Sequence, residues 1–336
     1  MVALLRPHPF EGAPSPFSLI DLTSMRDGTR WKFRLLYMYK SWSHGLTERG
    51  TATMCQPEGG SDMSTMSEVM STDLQWIRKD LWVHSAAAHM ADRRIGSLLV
   101  MDEEGVPAGI VTETDLVRRV IAADLNPMAT QIGDIMTPSL ITIDERASMS
   151  EASDVMAERA IRHVVVTREG GVVGLVSIRD LIAREEFLPF EVERMMSRLP
   201  VVVALDDTVR NAAALMAHSG VSGALVAGRR QSPRPMHLAG FARRDIAGIV
   251  TGTDLVRKVI AREGYPYVTP VADVMAAPLQ TIGARSSVNT AADLMERVGV
   301  RHLAVTEGEE IVGLLSAEDI FDPAWLQVAS RPLRRG

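Results

Sequence analysis

The sequence lacks the patterns that usually signal catalysis, metal binding or membrane insertion. Its 336 residues include a single cysteine, Cys55, so an internal disulfide bond is impossible and a reducing compartment is favoured. No apolar run approaches the roughly 20 residues of a membrane-spanning helix. There is no phosphate-binding Walker loop, no dinucleotide fingerprint, no metal-ligand spacing and no nucleophile with an evident base. We therefore expect a non-catalytic protein that requires no metal and no cofactor.

Composition and charge indicate a soluble, globular protein. The chain is 46% hydrophobic and 23% charged, as folded soluble domains are, and its length suits two domains of ordinary size. The net charge of −6 argues against a protein built to bind nucleic acid. The apolar stretch within residues 1–10 is too short for a signal peptide. We expect a cytoplasmic protein without a membrane span.

One eight-residue phrase occurs four times in the chain. Each copy contains a glycine, two apolar residues that favour a strand, a serine or threonine (serine in units two and four), two variable residues, an aspartate and an apolar residue. The phrase fits the end of a buried strand followed directly by a helix. The four copies span residues 109–116, 174–181, 248–255 and 313–320.

The hydroxyl and the aspartate of this phrase allow two interpretations, which can hold together. The pair can cap the helix, with the hydroxyl at the N-cap and the carboxylate three residues later. The same two groups can also bind the hydroxyls of a ribose, while the free N–H groups of the helix N-terminus meet a phosphate. Four copies do not decide between these readings, because duplication would preserve a cap as well.

Each phrase closes the β part of a longer repeat, with the predicted order strand, helix, strand, strand and helix. A polar or acidic lead that ends in methionine opens every repeat, and an apolar helical face follows, as at Met149, Ala152 and Met156. Successive phrase aspartates are 65, 74 and 65 residues apart, so the chain is a duplicated pair. The predicted units span residues 66–127, 132–190, 192–266 and 271–327.

Two segments depart from the repeat. Residues 1–65 are proline-rich and hold a basic, aromatic stretch at 30–40. We interpret them as a poorly ordered tail or as sequence upstream of the true start, with an amphipathic helix on a membrane or partner as the alternative. The third unit carries an insertion within 228–245 that contains five arginines and two prolines. It is either a solvated loop or a cationic flap for a partner.

Taken together, the four units resemble tandem CBS domains (domains of the cystathionine-β-synthase type) over residues 66–327. Unit length, element order and the phrase recur together. The resemblance implies an α/β fold in which two units form a pair with two symmetric clefts. Two pairs would form a disc, within one chain or in a homodimer. It also implies that the clefts bind adenine nucleotides or other adenosyl compounds, such as AMP, ADP, ATP or S-adenosylmethionine.

The same resemblance assigns candidate ligand-binding residues. The hydroxyl and aspartate of each phrase would hold ribose, and basic residues before the first central strand or just before the aspartate would meet phosphate. Units one and three lack such basic residues, and Glu318 would repel phosphate in unit four. We therefore rank the site at Ser177 and Asp180 first and the site at Ser316 and Asp319 last. The candidates are Thr112, Asp115, Ser177, Asp180, Thr251, Asp254, Ser316, Asp319, Arg162, His163, Arg179, Arg301 and His302.

The expected function is that of a regulatory sensor without catalysis. A ligand bound between paired units would shift their arrangement, and an unknown protein partner would read the shift. Two other functions stay open at this point. The protein could be an interaction scaffold with empty clefts, in which the phrase is only a cap. It could also be a nucleic-acid-associated regulator that uses the arginine insertion and the tail.

Overall fold

The computed structural model describes residues 64–182, 190–228 and 241–320. Most of the predicted N-terminal tail, residues 1–63, lies outside these ranges, as do residues 229–240 of the predicted insertion. The ends of the second and fourth predicted units, 183–189 and 321–327, also lie outside them. The predictions made for these segments stay predictions.

The first unit has the predicted order of strand, helix, two strands and helix. Its long helix buries Val83, Ala86, Ala87 and Met90, which follow each other at the spacings of one helical face. The helix after the phrase begins as an α-helix and continues as a π-helical segment, Leu116–Ile121. The elements are α1 (Met66–Val69), β1 (Trp76–Arg78), α2 (Val83–Arg93), β2 (Ser97–Met101), β3 (Pro107–Thr112) and α3 (Glu113–Asp115).

The second unit repeats this order. Ser148 caps its long helix through a reciprocal capping box with Glu151. The helix buries Met149, Ala152 and Met156, so the predicted apolar face is confirmed. The elements are α4 (Ile132–Ile135), β4 (Thr137–Pro138), β5 (Thr142–Asp144), α5 (Met149–Arg159), β6 (His163–Arg168), β7 (Gly171–Ser177) and α6 (Ile178–Ile182).

The third and fourth units follow the same plan, and short 3-10 turns replace the lead helices. The third unit contains β8 (Val202–Ala204), α7 (Val209–Ser219), β9 (Gly223–Ala227), β10 (Phe241–Ala242), β11 (Ile246–Thr251) and α8 (Gly252–Lys258). The fourth contains β12 (Thr281–Gly283), α9 (Val288–Val298), β13 (His302–Glu307), β14 (Glu310–Ser316) and α10 (Ala317–Ile320).

Every unit contributes one sheet with the same pairing. The first strand runs parallel to the second, and the second is antiparallel to the strand of the phrase. Two short strands extend the outer edges of these sheets: β4 pairs with β3, and β10 pairs with β14. Phe241 and Ala242, which belong to the predicted insertion of unit three, therefore lie at the edge of the sheet of unit four.

The leads that open the units are exchanged within each pair. The N–H of Met66 donates to the carbonyl of Ala147 in unit two at 2.9 Å. Conversely, the N–H of Gly133, in the lead of unit two, donates to the carbonyl of Lys79 in unit one at 2.8 Å. The equivalent bonds of the second pair run from Val192 to Ser286 and from Val271 to Asp207. Each lead therefore packs against the other unit of its pair, although it precedes its own unit in the sequence.

This exchange explains the glycine that begins each phrase. A Cβ atom at Gly109 or Gly248 would lie less than 3.0 Å from the carbonyl oxygen of Thr137 or Ala276, which follow the exchanged lead. In units two and four the nearest atom would be the sulfur of the lead methionine, Met70 beside Gly174 and Met196 beside Gly313. A residue without a Cβ leaves room for these approaches, by a backbone carbonyl in units one and three and by a methionine side chain in units two and four.

We expect Gly109→Ala to lower the free energy of unfolding by about 1–3 kcal/mol, because the new methyl group would overlap backbone that cannot move as a side chain can. Gly171→Ala is the matched control in the neighbouring sheet, since its nearest atom would lie 3.5 Å from the added Cβ. Urea denaturation of both full-length variants measures the difference. Equal destabilisation would show that the close approach is not the cause.

Two hydrophobic cores join the pairs to each other. The first combines units one and three, for example Met90 and Leu116 with Met216 and Leu255. The second combines units two and four. A smaller cluster lies between the sheets of units three and four, where Leu225 and Ile249 pack with residues of the fourth sheet. Each unit thus buries its helices against a unit of the other pair, which places all four phrases within one packed body.

Candidate ligand-binding site

In all four phrases the aspartate carboxylate accepts hydrogen bonds from the serine or threonine that precedes the helix. In unit one the N–H and hydroxyl of Thr112 donate to Oδ2 of Asp115 at 2.9 and 2.7 Å. In unit two the N–H and hydroxyl of Ser177 both donate to Oδ2 of Asp180 at 2.7 Å. The same pairs form at Thr251 with Asp254 and at Ser316 with Asp319. In units one, three and four the hydroxyl also accepts from the N–H of the aspartate, which completes the predicted cap. In every unit these bonds use one oxygen of the carboxylate.

The second oxygen of the aspartate has a different environment in different units. In unit one it lies 3.5 Å from Nε of Arg119, and in unit three the Oδ1 of Asp254 lies 2.8 Å from Nζ of Lys258. Both cations also donate to carbonyls of the exchanged lead: Arg119 to Ile135 and Met136, and Lys258 to Val274 and Met275. The aspartates of units one and three are thus engaged by cations of their own helices.

The site at Ser177 and Asp180 opens onto a cavity of about 220 Å³. Within the described ranges, no cation lies at ion-pair distance from Asp180. Five predicted residues of unit two line this cavity together with residues of two other units. They are Arg162, His163, Ser177, Arg179 and Asp180, joined by Arg94, Ile95, Gly96 and Ser97 of unit one and by Arg301, Ala317 and Glu318 of unit four.

A second cavity has a volume of about 420 Å³ but a different chemistry. It lies between the sheet edges of units one and two, and its walls include Trp76, Met101, Pro107 and Val172. None of the described residues that line it is charged. It therefore offers nothing to an anionic ligand, and the smaller cavity is the better candidate despite its size.

Two arginines of the candidate site already bind carboxylates of other units. Arg162 donates to Oε1 of Glu318, which also accepts a hydrogen bond of 3.0 Å from the hydroxyl of Ser222. We call Arg162, Glu318 and Ser222 the Glu318 cluster. It joins units two, four and three. Within it, burial by itself would raise the pKa of Glu318, but Arg162 and other neighbours lower it by more, so the group is ionised at neutral pH.

The second arginine is held in an equivalent way by unit one. Arg301 donates to Oε2 of Glu113 at 2.9 Å, and the hydroxyl of Thr253 donates to the same oxygen at 2.8 Å. Nε of Arg257 lies 3.5 Å from the other oxygen of Glu113, whose side chain is only 6% exposed. We call these four residues the Glu113 cluster.

Two guanidinium groups that line the cavity, those of Arg94 and Arg179, have no carboxylate partner within ion-pair distance in the described part of the chain. Burial, and next the positive charge of Arg301, lower the pKa of Arg179. Both effects destabilise the protonated, positively charged form of Arg179. An anion placed in the cavity would offset this destabilisation.

The two predicted histidines do not add positive charge. Burial, followed by the nearby guanidinium of Arg162, lowers the pKa of His163 to about 3. Burial also lowers the pKa of His302 to about 4. Both imidazoles are therefore neutral at pH 7, and their contact with phosphate stays a prediction. His302 instead lies 3.0 Å from the hydroxyl of Ser222.

Glu318, which the sequence predicts to repel phosphate at the site of its own phrase in unit four, lines the cavity at Ser177 and Asp180. Arg301 likewise lines the cavity of unit two. The ranking of the site at Ser316 and Asp319 stays a prediction. The remaining candidates do not line this cavity: Thr112, Asp115, Thr251, Asp254, Ser316, Asp319 and His302. Glu113 and Arg94 were not predicted, and only the position of Glu113 inside a phrase could have drawn attention to it.

Comparisons with known proteins identify the family. The model of the CBS domain matches residues 66–122, 132–186 and 271–323. The uncharacterized protein YlbB of Bacillus subtilis is 35% identical over 125 residues, which are 37% of this chain and 84% of YlbB. The mitochondrial CBS domain-containing protein CBSX3 of Arabidopsis thaliana is 34% identical over 136 residues, 37% of this chain and 66% of CBSX3. The chain belongs to the family of CBS-domain proteins.

Solved structures show the same fold over a longer stretch. Protein MJ1225 of Methanocaldococcus jannaschii, described as a candidate archaeal homolog of g-AMPK, aligns with 78% of this chain and 100% of its own. Its TM-score is 0.61 at 16% sequence identity. An uncharacterized conserved protein of Pyrococcus horikoshii aligns with 77% of this chain and 99% of its own, with a TM-score of 0.51 at 20% identity. The family match leaves out residues 192–266, yet β8, α7, β9, β11 and α8 there repeat the order of the matched units.

Every helix within residues 64–182, 190–228 and 241–320 is too short or too polar to span a membrane. No group of three or more His, Cys, Asp or Glu in the same ranges could hold a metal ion.

Proposed function

We propose that this protein is a non-catalytic, cytoplasmic sensor of adenine nucleotides or other adenosyl compounds. AMP, ADP, ATP and S-adenosylmethionine are the candidate ligands, and no further cofactor is required. The proposal assigns ligand binding to the site at Ser177 and Asp180. The observation that carries it is that the hydroxyl and carboxylate predicted to bind ribose, Ser177 and Asp180, line one cavity together with four arginines.

Each part of the site suits one part of such a ligand. Oδ1 of Asp180 takes no part in the helix cap and can accept a hydrogen bond from a sugar hydroxyl. Arg179 supplies a positive charge that lacks a carboxylate partner among the described residues. The volume of about 220 Å³ is below the roughly 300–1,000 Å³ of ordinary ligand pockets, so the site encloses only part of a nucleotide.

The position of the site suggests how binding would be read. Its walls come from units one, two and four, so a ligand would hold the two pairs together across their interface. A ligand shifts an arrangement only as far as it prefers one over another. A partner protein that recognises the relative position of the pairs would then respond to the ligand. With all four units in one chain, a dimer is not needed to form the site.

We expect Asp180→Asn to weaken binding of AMP by about 10- to 100-fold, since a carboxylate acceptor for the ribose becomes a neutral amide. The amide oxygen still accepts the cap bonds of Ser177, so the fold is retained. Asp254→Asn is the matched control, because Lys258 already occupies the equivalent oxygen in unit three. Isothermal titration of the full-length protein, with thermal shift as a second readout, measures both variants.

Three results would contradict the proposal. Binding of none of the four candidate ligands by the wild type would remove the sensor function. Equal losses in Asp180→Asn and Asp254→Asn would remove the assignment of the site. Unchanged affinity in Asp180→Asn would do the same.

A further inference from the structure

We propose that Glu318 and Glu113 are internal counter-ions that set the charge of the ligand accepted at Ser177 and Asp180. They restrict this site to a nucleoside with a single phosphate group and disfavour a triphosphate. The inference rests on the proposed function and adds the ligand class to it. Its basis is that two of the four arginines that line the cavity, Arg162 and Arg301, are paired with carboxylates from other units.

The charges around the cavity decide how much negative charge a ligand can bring. Four arginines (Arg94, Arg162, Arg179 and Arg301) and three carboxylates (Asp73, Asp180 and Glu318) line the cavity, so the formal charge of its wall is +1. Glu318 pairs with Arg162, and behind the wall Glu113 pairs with Arg301 and Arg257, so that the charges of Glu113 and Arg257 cancel. A phosphate monoester carries about 1.5 to 2 negative charges at pH 7, which Arg179 can meet with little excess. Every further phosphate adds negative charge beside two fixed carboxylates.

The glutamates are fixed, so an incoming phosphate cannot readily displace them. Ser222 donates to Glu318 and Thr253 donates to Glu113, in addition to the arginines. The Glu113 side chain is only 6% exposed and the Glu318 side chain is 33% exposed, so Glu113 is the more firmly held of the two. Breaking such a buried, charge-assisted set is costly.

Both fixing hydroxyls belong to unit three, although none of its described residues lines the cavity. Ser222 precedes β9 and Thr253 lies in the phrase of that unit. Unit three therefore determines the ligand charge at a site that it does not touch. This would give the third phrase a role even though Lys258 occupies its aspartate.

Glu318→Gln tests the inference, because the amide oxygen can still accept from Arg162 and Ser222 while the negative charge is lost. We expect the affinity for ATP to rise about tenfold or more, the affinity for AMP to rise less, and the affinity for adenosine to change less than about twofold. Ser222→Ala should move the ATP affinity in the same direction by a smaller factor. Glu296→Gln on the exposed face of α9 is the control with the same change of net charge.

Titrations of the full-length variants with adenosine, AMP and ATP at one ionic strength separate the outcomes. A gain that grows with the number of phosphates, in Glu318→Gln only, supports the inference. Equal gains for adenosine and ATP, equal effects of Glu318→Gln and Glu296→Gln, or tighter wild-type binding of ATP than of AMP would overturn it alone. Absence of binding of all three compounds in every variant would overturn the proposed function and the inference together.

Discussion

Replacing Glu113 with alanine is expected to lower the free energy of unfolding by about 3 kcal/mol. The change leaves Arg301 and Arg257 near each other with no carboxylate between them. Removing one member of a buried ion pair typically costs about 3–5 kcal/mol, since the remaining charge stays desolvated. We place the effect at the lower end because the side chains of the two arginines are 22% and 25% exposed and retain some water.

Urea denaturation measures this loss, and a double-mutant cycle assigns it. Arg301→Met in the Glu113→Ala background should recover part of the stability, since the unpaired charge is then absent. Glu296→Ala, on the exposed face of α9, is the control and should change stability by less than about 0.5 kcal/mol. Additive effects of Glu113→Ala and Arg301→Met would show that the Glu113 cluster is not a coupled unit.

The elements of the fold could be predicted from the sequence because local patterns determine them. The apolar spacing at Met149, Ala152 and Met156 identified a helix face, and the phrase located the change from strand to helix. The repeat made the predicted order of strands and helices more secure, since the same pattern occurs in four places. Family membership follows from the same patterns, and the CBS-domain match confirms it.

The exchange of the leads could not be predicted in this way. A lead such as Met66–Val69 has the same sequence character whether it packs on its own unit or on the next one. The glycine of each phrase is the one sequence feature that reflects the exchange. It indicates that another segment lies close to the strand, but not which segment. A helical or strand period reports which face is buried and not which element covers it.

The electrostatics of the site were the least predictable feature. Glu318 and Arg162 are 156 positions apart, and Glu113 and Arg301 are 188 apart. Reading each unit alone assigned Glu318 to the site of its own phrase, whereas the packing of the pairs directs it to another unit. The pKa values of the two histidines could not be predicted for the same reason. Burial lowers them, and this burial arises where units pack together in the assembled fold.

A cavity in unit three should weaken unit one as well. Ile260 is 1% exposed and belongs to the core that joins these two units, and the turn Ile260–Arg262 packs against α2. We expect Ile260→Ala to lower the free energy of unfolding by about 2–5 kcal/mol through lost burial and an unfilled cavity. Native-state hydrogen exchange should show reduced protection in α2, although α2 lies about 170 residues earlier in the sequence.

Leu181→Ala provides the matched comparison, because Leu181 is fully buried in the core of units two and four. Its loss should reduce protection first in those units, while α2 keeps more of its own. If Ile260→Ala reduces protection only within unit three, the pairs open independently, and a ligand at their interface could not transmit its binding through a shared core. If α2 responds, each pair senses the packing of the other, which is the coupling that a sensor with one binding site and four units requires.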